Sequence, residues 1–166
     1  MNCRQILIGV SLLLCFSVFA KQAHSINGEA PVFQLPELES EQIVSLSSFK
    51  GKVVYLDFWA SWCKPCVKSF PKLDALHKKY NGEGFEVIAI NLDQKKSKAL
   101  EFLKRQPVEY TVLYDEHTEV AQAYKVQAMP SSYFIDKNGK IRLSHKGFIP
   151  GDEKKIERAI LHLLAE

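Results

Sequence analysis

Residues 53–66 constrain this chain more than any other stretch. Val53-Val54-Tyr55-Leu56-Asp57-Phe58-Trp59-Ala60 is an apolar run with a single acid in it. After Ser61 comes Trp62-Cys63-Lys64-Pro65-Cys66. A continuous apolar run of this length reads as a central strand, buried on both faces. Pro65 suits the first turn of a helix, where its missing N–H is not needed. From there Val67, Phe70, Leu73, Leu76 and Tyr80 recur at spacings of three and four. That single apolar stripe predicts a helix over 64–80. Pro71 falls inside it and predicts a kink near Val67, whose carbonyl lies four residues back. Asn81-Gly82 ends it.

The remaining pattern completes an α/β chain. Residues 31–35, begun by Pro31, predict a short edge strand, because proline cannot donate to a ladder. Residues 43–46 read as its hairpin partner, and 49–52 as a turn. Residues 85–90 predict a strand, 97–105 a helix closed by Pro107, and 111–114 a further strand. Asp115 is placed to cap a helix through Val120, Ala121 and Tyr124. Residues 132–135 and 141–145 are strands around the turn Asp136-Lys137-Asn138-Gly139-Lys140. Residues 152–164 close the chain as a helix that buries Ile156, Ile160, Leu163 and Leu164. The expected architecture is a central mixed β-sheet with helices on both faces and an N-terminal β-hairpin extension.

The first 20 residues differ in kind. Arg4 supplies a positive start, residues 6–19 are apolar with small interruptions, and Val18-Phe19-Ala20 offers a cleavage site. This is the pattern of a secretory signal peptide. An uncleaved membrane anchor through residues 6–20 is the other reading, although the run is shorter than the ~20 residues a spanning helix needs. A lipoprotein signal at Leu12-Leu13-Leu14-Cys15 is a third, with bulky Leu14 where a small residue is wanted. Residues 21–30 read as a linker and 31–166 as one domain. Of the 166 residues 46% are hydrophobic, enough for a real core, and the net charge of +3 is too small to argue for nucleic acid.

Removal of the leader would take Cys3 and Cys15 with it, leaving Cys63 and Cys66 as the only thiols. An exported domain with two cysteines three apart has no structural disulfide framework. Its pattern points to thiol–disulfide exchange. Cys63 at the helix N-terminus would face unpaired backbone N–H groups and the positive end of the dipole, which stabilise a thiolate, and Lys64 and Lys68 add charge nearby. Cys66, one turn further in, would be more buried. Cys63 is therefore expected to attack a substrate disulfide and Cys66 to resolve the mixed disulfide. Asp57 is either a buried proton acceptor for Cys66 or an acid at the strand's exposed end. Pro130, after Met129, is open to either peptide isomer.

At these residues the chain resembles a known family. Asp57-Phe58-Trp59-Ala60-Ser61-Trp62-Cys63-Lys64-Pro65-Cys66 is similar to the active-site strand and loop of thioredoxin-fold proteins. Residues 28–35, 44–52 and Met129-Pro130-Ser131-Ser132-Tyr133-Phe134-Ile135-Asp136 resemble its exported TlpA/ResA branch, which is related to the AhpC/TSA proteins. The likeness covers about residues 27–165. It implies a cis-proline at Pro130, a buried acid at Asp57 and a kinked first helix at Pro71. It implies a substrate surface of Trp62, Lys64, Pro65 and Met129, and no cofactor. It also implies a periplasmic or extracytoplasmic oxidoreductase, usually a reductase, with antioxidant activity among the functions of related proteins. Such proteins act on protein disulfides in the cell envelope, in cytochrome c biogenesis or in assembling the metal sites of oxidases, and a membrane electron carrier recharges them. Ser131-Ser132 stand where the branch often has two threonines, and Gln127-Ala128 replace a glycine-containing approach.

Other chemistries fit less well. A dithiol oxidase would use the same residues, and direction depends on reduction potential and the recharging partner. Structural zinc wants four ligands, and the five histidines show no matching spacing. A Cu(I) carrier would need a third ligand, for which His145 is the candidate. A thiol peroxidase wants a threonine shortly before a lone cysteine, which Ser61-Trp62-Cys63 does not supply.

Overall fold

The computed structural model describes residues 28–166. Its strands are β1 (Gly28–Glu29), β2 (Gln34–Pro36), β3 (Ile43–Ser45), β4 (Val53–Trp59), β5 (Phe85–Asn91), β6 (Thr111–Tyr114), β7 (Ser131–Ile135) and β8 (Lys140–Lys146). Its helices are α1 (Lys64–Tyr80), α2 (Lys96–Arg105), α3 (Glu119–Ala123) and α4 (Asp152–Leu164). The six-stranded sheet runs in the order β1-β8-β7-β4-β5-β6, and β2 pairs with β3 as a separate antiparallel hairpin. β4 is parallel to β5 and antiparallel to β7, so the sheet is mixed.

Every residue of β4 is buried, as an apolar run between two neighbours requires. Alternate side chains enter different cores. Val53, Tyr55 and Trp59 pack with residues of α1, α2 and α4, including Phe70, Phe102 and Ile160. Val54, Leu56 and Phe58 pack with Val120 and Ala121 of α3 and with Leu35 and Leu46 near the hairpin. Helices therefore cover both faces.

The helical stripe of α1 is real except at Val67, which is 37% exposed. Pro71 offers no N–H to the Val67 carbonyl. The Gln106 side chain donates to that carbonyl instead, at 3.2 Å, from the cap position just after α2. One helix thus repairs the other's missing bond.

Three expectations shift at their edges. The first hairpin strand is Gln34–Pro36, displaced from 31–35, because the pairing partner is Ile43–Ser45 and its register begins at Gln34. Gly28–Glu29, at the end of the segment read as a linker, pairs with Ile141 and Lys140 of β8, and Ala30 donates to the Gly139 carbonyl at 2.9 Å. α3 is only Glu119–Ala123. Asp115 does accept from the Ala121 N–H at 2.9 Å, although Thr118 is the residue at the cap. The predicted leader and the linker up to residue 27 lie outside the described residues. Among the described residues no helix is long and apolar enough to cross a membrane.

Candidate active site

The C-terminal end of β4 and the N-terminal end of β7 meet at one end of the sheet, with Phe58 opposite Ser131. The chain leaves β4 through Ala60 and Ser61 and enters α1 at Cys63. Cys63 is the N-cap of α1, its backbone extended, and Pro65 lies in the first turn. Its Sγ accepts from the Cys66 N–H at 3.3 Å. The first sulfur therefore sits on the donor end of the helix, where unpaired N–H groups and the dipole favour negative charge. Cys63 and Cys66 are joined as a disulfide, with their Cα atoms 5.2 Å apart. Cys66 is fully buried, whereas Cys63 keeps 4% of its surface. Only the first sulfur offers an attacking partner any approach.

Asp57 is buried, 1% exposed, on the face of β4 that α1 covers. The lone acid in the strand is not at an exposed end. Ser132, its cross-strand neighbour, donates to Oδ1 at 2.7 Å, and Oδ2 has no hydrogen-bond partner among the described residues. Burial raises the Asp57 pKa to about 7, and the Ser132 hydrogen bond opposes only part of that rise. The site thus holds a carboxyl that changes protonation near neutrality, with one oxygen free to take a proton.

The Met129–Pro130 peptide is cis. Pro130 is buried, directly ahead of Ser131, and its carbonyl accepts from the Gly147 N–H at 2.8 Å. Met129 packs, half-buried, against the cluster that contains both cysteines. Trp62 is 68% exposed, Lys64 is exposed and Pro65 half-buried. The residues singled out from sequence therefore gather at one end of the sheet.

One group escaped the sequence. Asp93 is buried just beyond β5, and its carboxylate takes both the N–H of Ser61 at 2.8 Å and the Ser61 hydroxyl at 2.9 Å. Asn91 donates to the same carboxylate at 2.8 Å, and the Leu92 N–H reaches the Trp59 carbonyl at 2.9 Å. This clamp fixes the turn that carries Trp62 and Cys63. Its only sequence trace is an acid after an apolar strand, which also describes many ordinary loops.

His145, the candidate third metal ligand, lies on β8 opposite Ser132, with Nε2 3.4 Å from Asp152 Oδ2. Among the described residues no group of three or more His, Cys, Asp or Glu side chains is arranged to hold a metal.

A family model described as Redoxin matches residues 26–160. The chain belongs to the Redoxin family. A ResA thiol-disulfide oxidoreductase from Bacillus thuringiensis subsp. konkukian is 37% identical over 147 residues, covering 83% of this chain and 84% of that protein. The crystal structure of a Chlorobium tepidum protein designated thiol:disulfide interchange protein DsbE matches with a TM-score of 0.81 and 44% identity. It covers 86% of this chain and 99% of the other. An exposed lipoprotein thioredoxin, Etrx1, from Streptococcus pneumoniae matches with a TM-score of 0.71 and 30% identity, covering 80% of this chain and all of its own. This Redoxin protein is a thiol–disulfide oxidoreductase with a thioredoxin-like fold, and Cys63-Cys66 is its C-x-x-C pair.

Proposed function

We propose that this protein is an extracytoplasmic reductase that opens disulfides of specific envelope proteins. Cys63 is its nucleophile, Cys66 its resolving thiol and Asp57 its proton acceptor. The observation that carries the direction is Asp57, a buried carboxyl on the sheet face beneath α1. An ionised carboxylate there opposes a second negative charge on Cys66, which disfavours the dithiolate and makes the pair a better donor of electrons.

The Cys63 thiolate attacks one sulfur of the substrate disulfide, and the other substrate sulfur leaves as a thiolate that takes a proton. Cys66 gives its proton to Asp57 and attacks Cys63 Sγ. The Cys63–substrate bond breaks, the second substrate sulfur leaves as a thiolate that takes the proton from Asp57, and the Cys63–Cys66 bond remains. Two electrons pass to the substrate. A membrane electron carrier returns two electrons and two protons to restore the dithiol. Pro130 and Met129 present backbone and an apolar side chain beside the pair, and Trp62, Lys64 and Pro65 form the opposite lip. The leader pattern of residues 1–20 and the exposed-lipoprotein relative support a place outside the cytoplasm.

Cys66→Ala tests the assignment. Cys63 should then hold substrates as mixed disulfides identifiable by mass spectrometry, and Cys63→Ala should hold none. The reverse result would reassign the nucleophile. The direction is tested by redox titration. A potential near the thioredoxin value of about −270 mV is expected, and one near about −120 mV would make the protein an oxidase.

A further inference from the structure

Three separate stretches contribute to the surface around the cysteine pair: residues 58–73, 120–135 and 143–151. The first carries the turn and the start of α1. The second carries the approach to Pro130 and β7, and the third the end of β8 and the loop whose Gly147 bonds to Pro130. The chain has 19 Asp and Glu residues, and none falls in these stretches, whereas Lys64, Lys68, Lys72, Lys125 and Lys146 do.

All five lysines are exposed, and none has an ion-pair partner among the described residues. Elsewhere the pattern is different. Lys52 meets Glu86, Lys78 meets Asp74, Lys79 meets Glu157 and Lys96 meets Glu41, all within 3 Å. Lys64, Lys68 and Lys72 follow one another at four-residue spacing along α1, and Lys125 and Lys146 line one hollow beside β7. Asp57, Asp93 and Asp152, which border these stretches or bond into them, are 1–4% exposed and turned into hydrogen bonds. Glu29, on β1 with its backbone against Lys140 of β8, is the one acid lining that hollow, against the two lysines, and it forms no ion pair with either. Within the basic rim lie three of the large apolar side chains the molecule exposes: Trp62, Val67 and Ile149.

We propose that this face docks protein partners whose target disulfide is surrounded by Asp and Glu side chains. The proposal rests on the exchange reading above and names the class of partner for the same site. Uncompensated positive charge around a small apolar centre steers an acidic surface toward the one approachable sulfur and repels a basic one. A lipid surface is the weaker occupant, because Cys63 must come within bonding distance of a partner's sulfur at the centre of this same face.

The test uses the full chain, reduced and then freed of reductant, in single-turnover reactions with disulfide-linked peptide dimers. Their cysteines are flanked by Glu, by Lys or by Gln. Each rate is divided by the rate for the same peptide with dithiothreitol, which removes differences in leaving-group acidity. At low salt the Glu peptide should react at least about tenfold faster than the Lys peptide, and the ratio should collapse in 1 M salt. The triple variant Lys72→Glu, Lys125→Glu, Lys146→Glu should invert the preference and reduce the Gln peptide at the wild-type rate. Equal normalised rates for Glu and Lys peptides at low salt would overturn the proposal, as would a preference that the triple variant keeps. Binding to anionic vesicles that the triple variant loses, without peptide discrimination, would give the face to lipid instead. Failure to reduce even the Gln peptide would remove the exchange reading, and this proposal with it.

Discussion

Asp57 spends the range from acid to neutral pH holding a proton that an unfolded chain would release. Its folded pKa is about 7 against an ordinary value of 3.8. The protonated acid's contribution to stability is fully present below 3.8 and is lost as the pH rises through about 7. Over that window the loss is about 4 kcal/mol. Asp57→Asn does not titrate. Denaturation of the oxidised proteins should therefore show the variant gaining on wild type by about that amount between pH 4 and pH 8. A gap that stays constant with pH would mean Asp57 does not titrate in this way. In the reduced protein the same change should slow release of product from the mixed disulfide, on the order of 100-fold above pH 7, and spare the first attack by Cys63. Rapid-quench analysis separates the two steps. Asp93→Ala removes two charge-assisted hydrogen bonds to Ser61. It should cost about 3–4 kcal/mol of stability. It should also shift the pH at which Cys63 begins to be alkylated, a readout that loss of stability alone would not move. Asp57 was legible as a candidate because it is the one acid in an apolar strand, although only the family resemblance implied its burial. Asp93 was not, because its partner is 32 residues away and is reached only when β5 lies beside β4.

At the scale of elements, local rules went far. The stripe and punctuation of residues 64–80 predicted α1 to its last residue, and residues 152–164 did the same for α4. The short N-terminal strands were harder to place, because β1 and β2 span only two and three residues and their extent is set by partners far along the chain or across a turn. The backbone bond lost at Pro71 was readable, but its repair was not, since Gln106 is 39 residues from Val67 in sequence. A double-mutant cycle tests the repair. Gln106→Ala alone should cost about 1 kcal/mol, through the Val67 carbonyl it abandons. In a Pro71→Ala background the restored backbone N–H can serve that carbonyl, so Gln106→Ala should become nearly neutral. Additive effects in urea denaturation would show that the two residues are not coupled.

Across the whole molecule, the strap formed by Gly28–Glu29 covers the Lys140–Ile141 end of the β8 edge, and Tyr124 holds the Pro31 carbonyl at 2.9 Å. Deletion through Pro31 uncovers backbone donors and acceptors on β8 and should promote self-association, read by light scattering as a mass that rises with concentration. A deletion that stays monomeric would mean the edge needs no cover. The two tryptophans have a different kind of consequence. They are the only ones in the chain. Trp59 is wholly enclosed by Phe70 and Phe102, with ring centroids at 4.5 and 5.0 Å, while Trp62 stands in solvent beside Cys63. One indole is shielded from dissolved iodide and the other is open to it. The molecule therefore carries two optical gauges on either side of its sulfur pair. The inner one reports the integrity of the core, and the outer one the state of the surface beside Cys63.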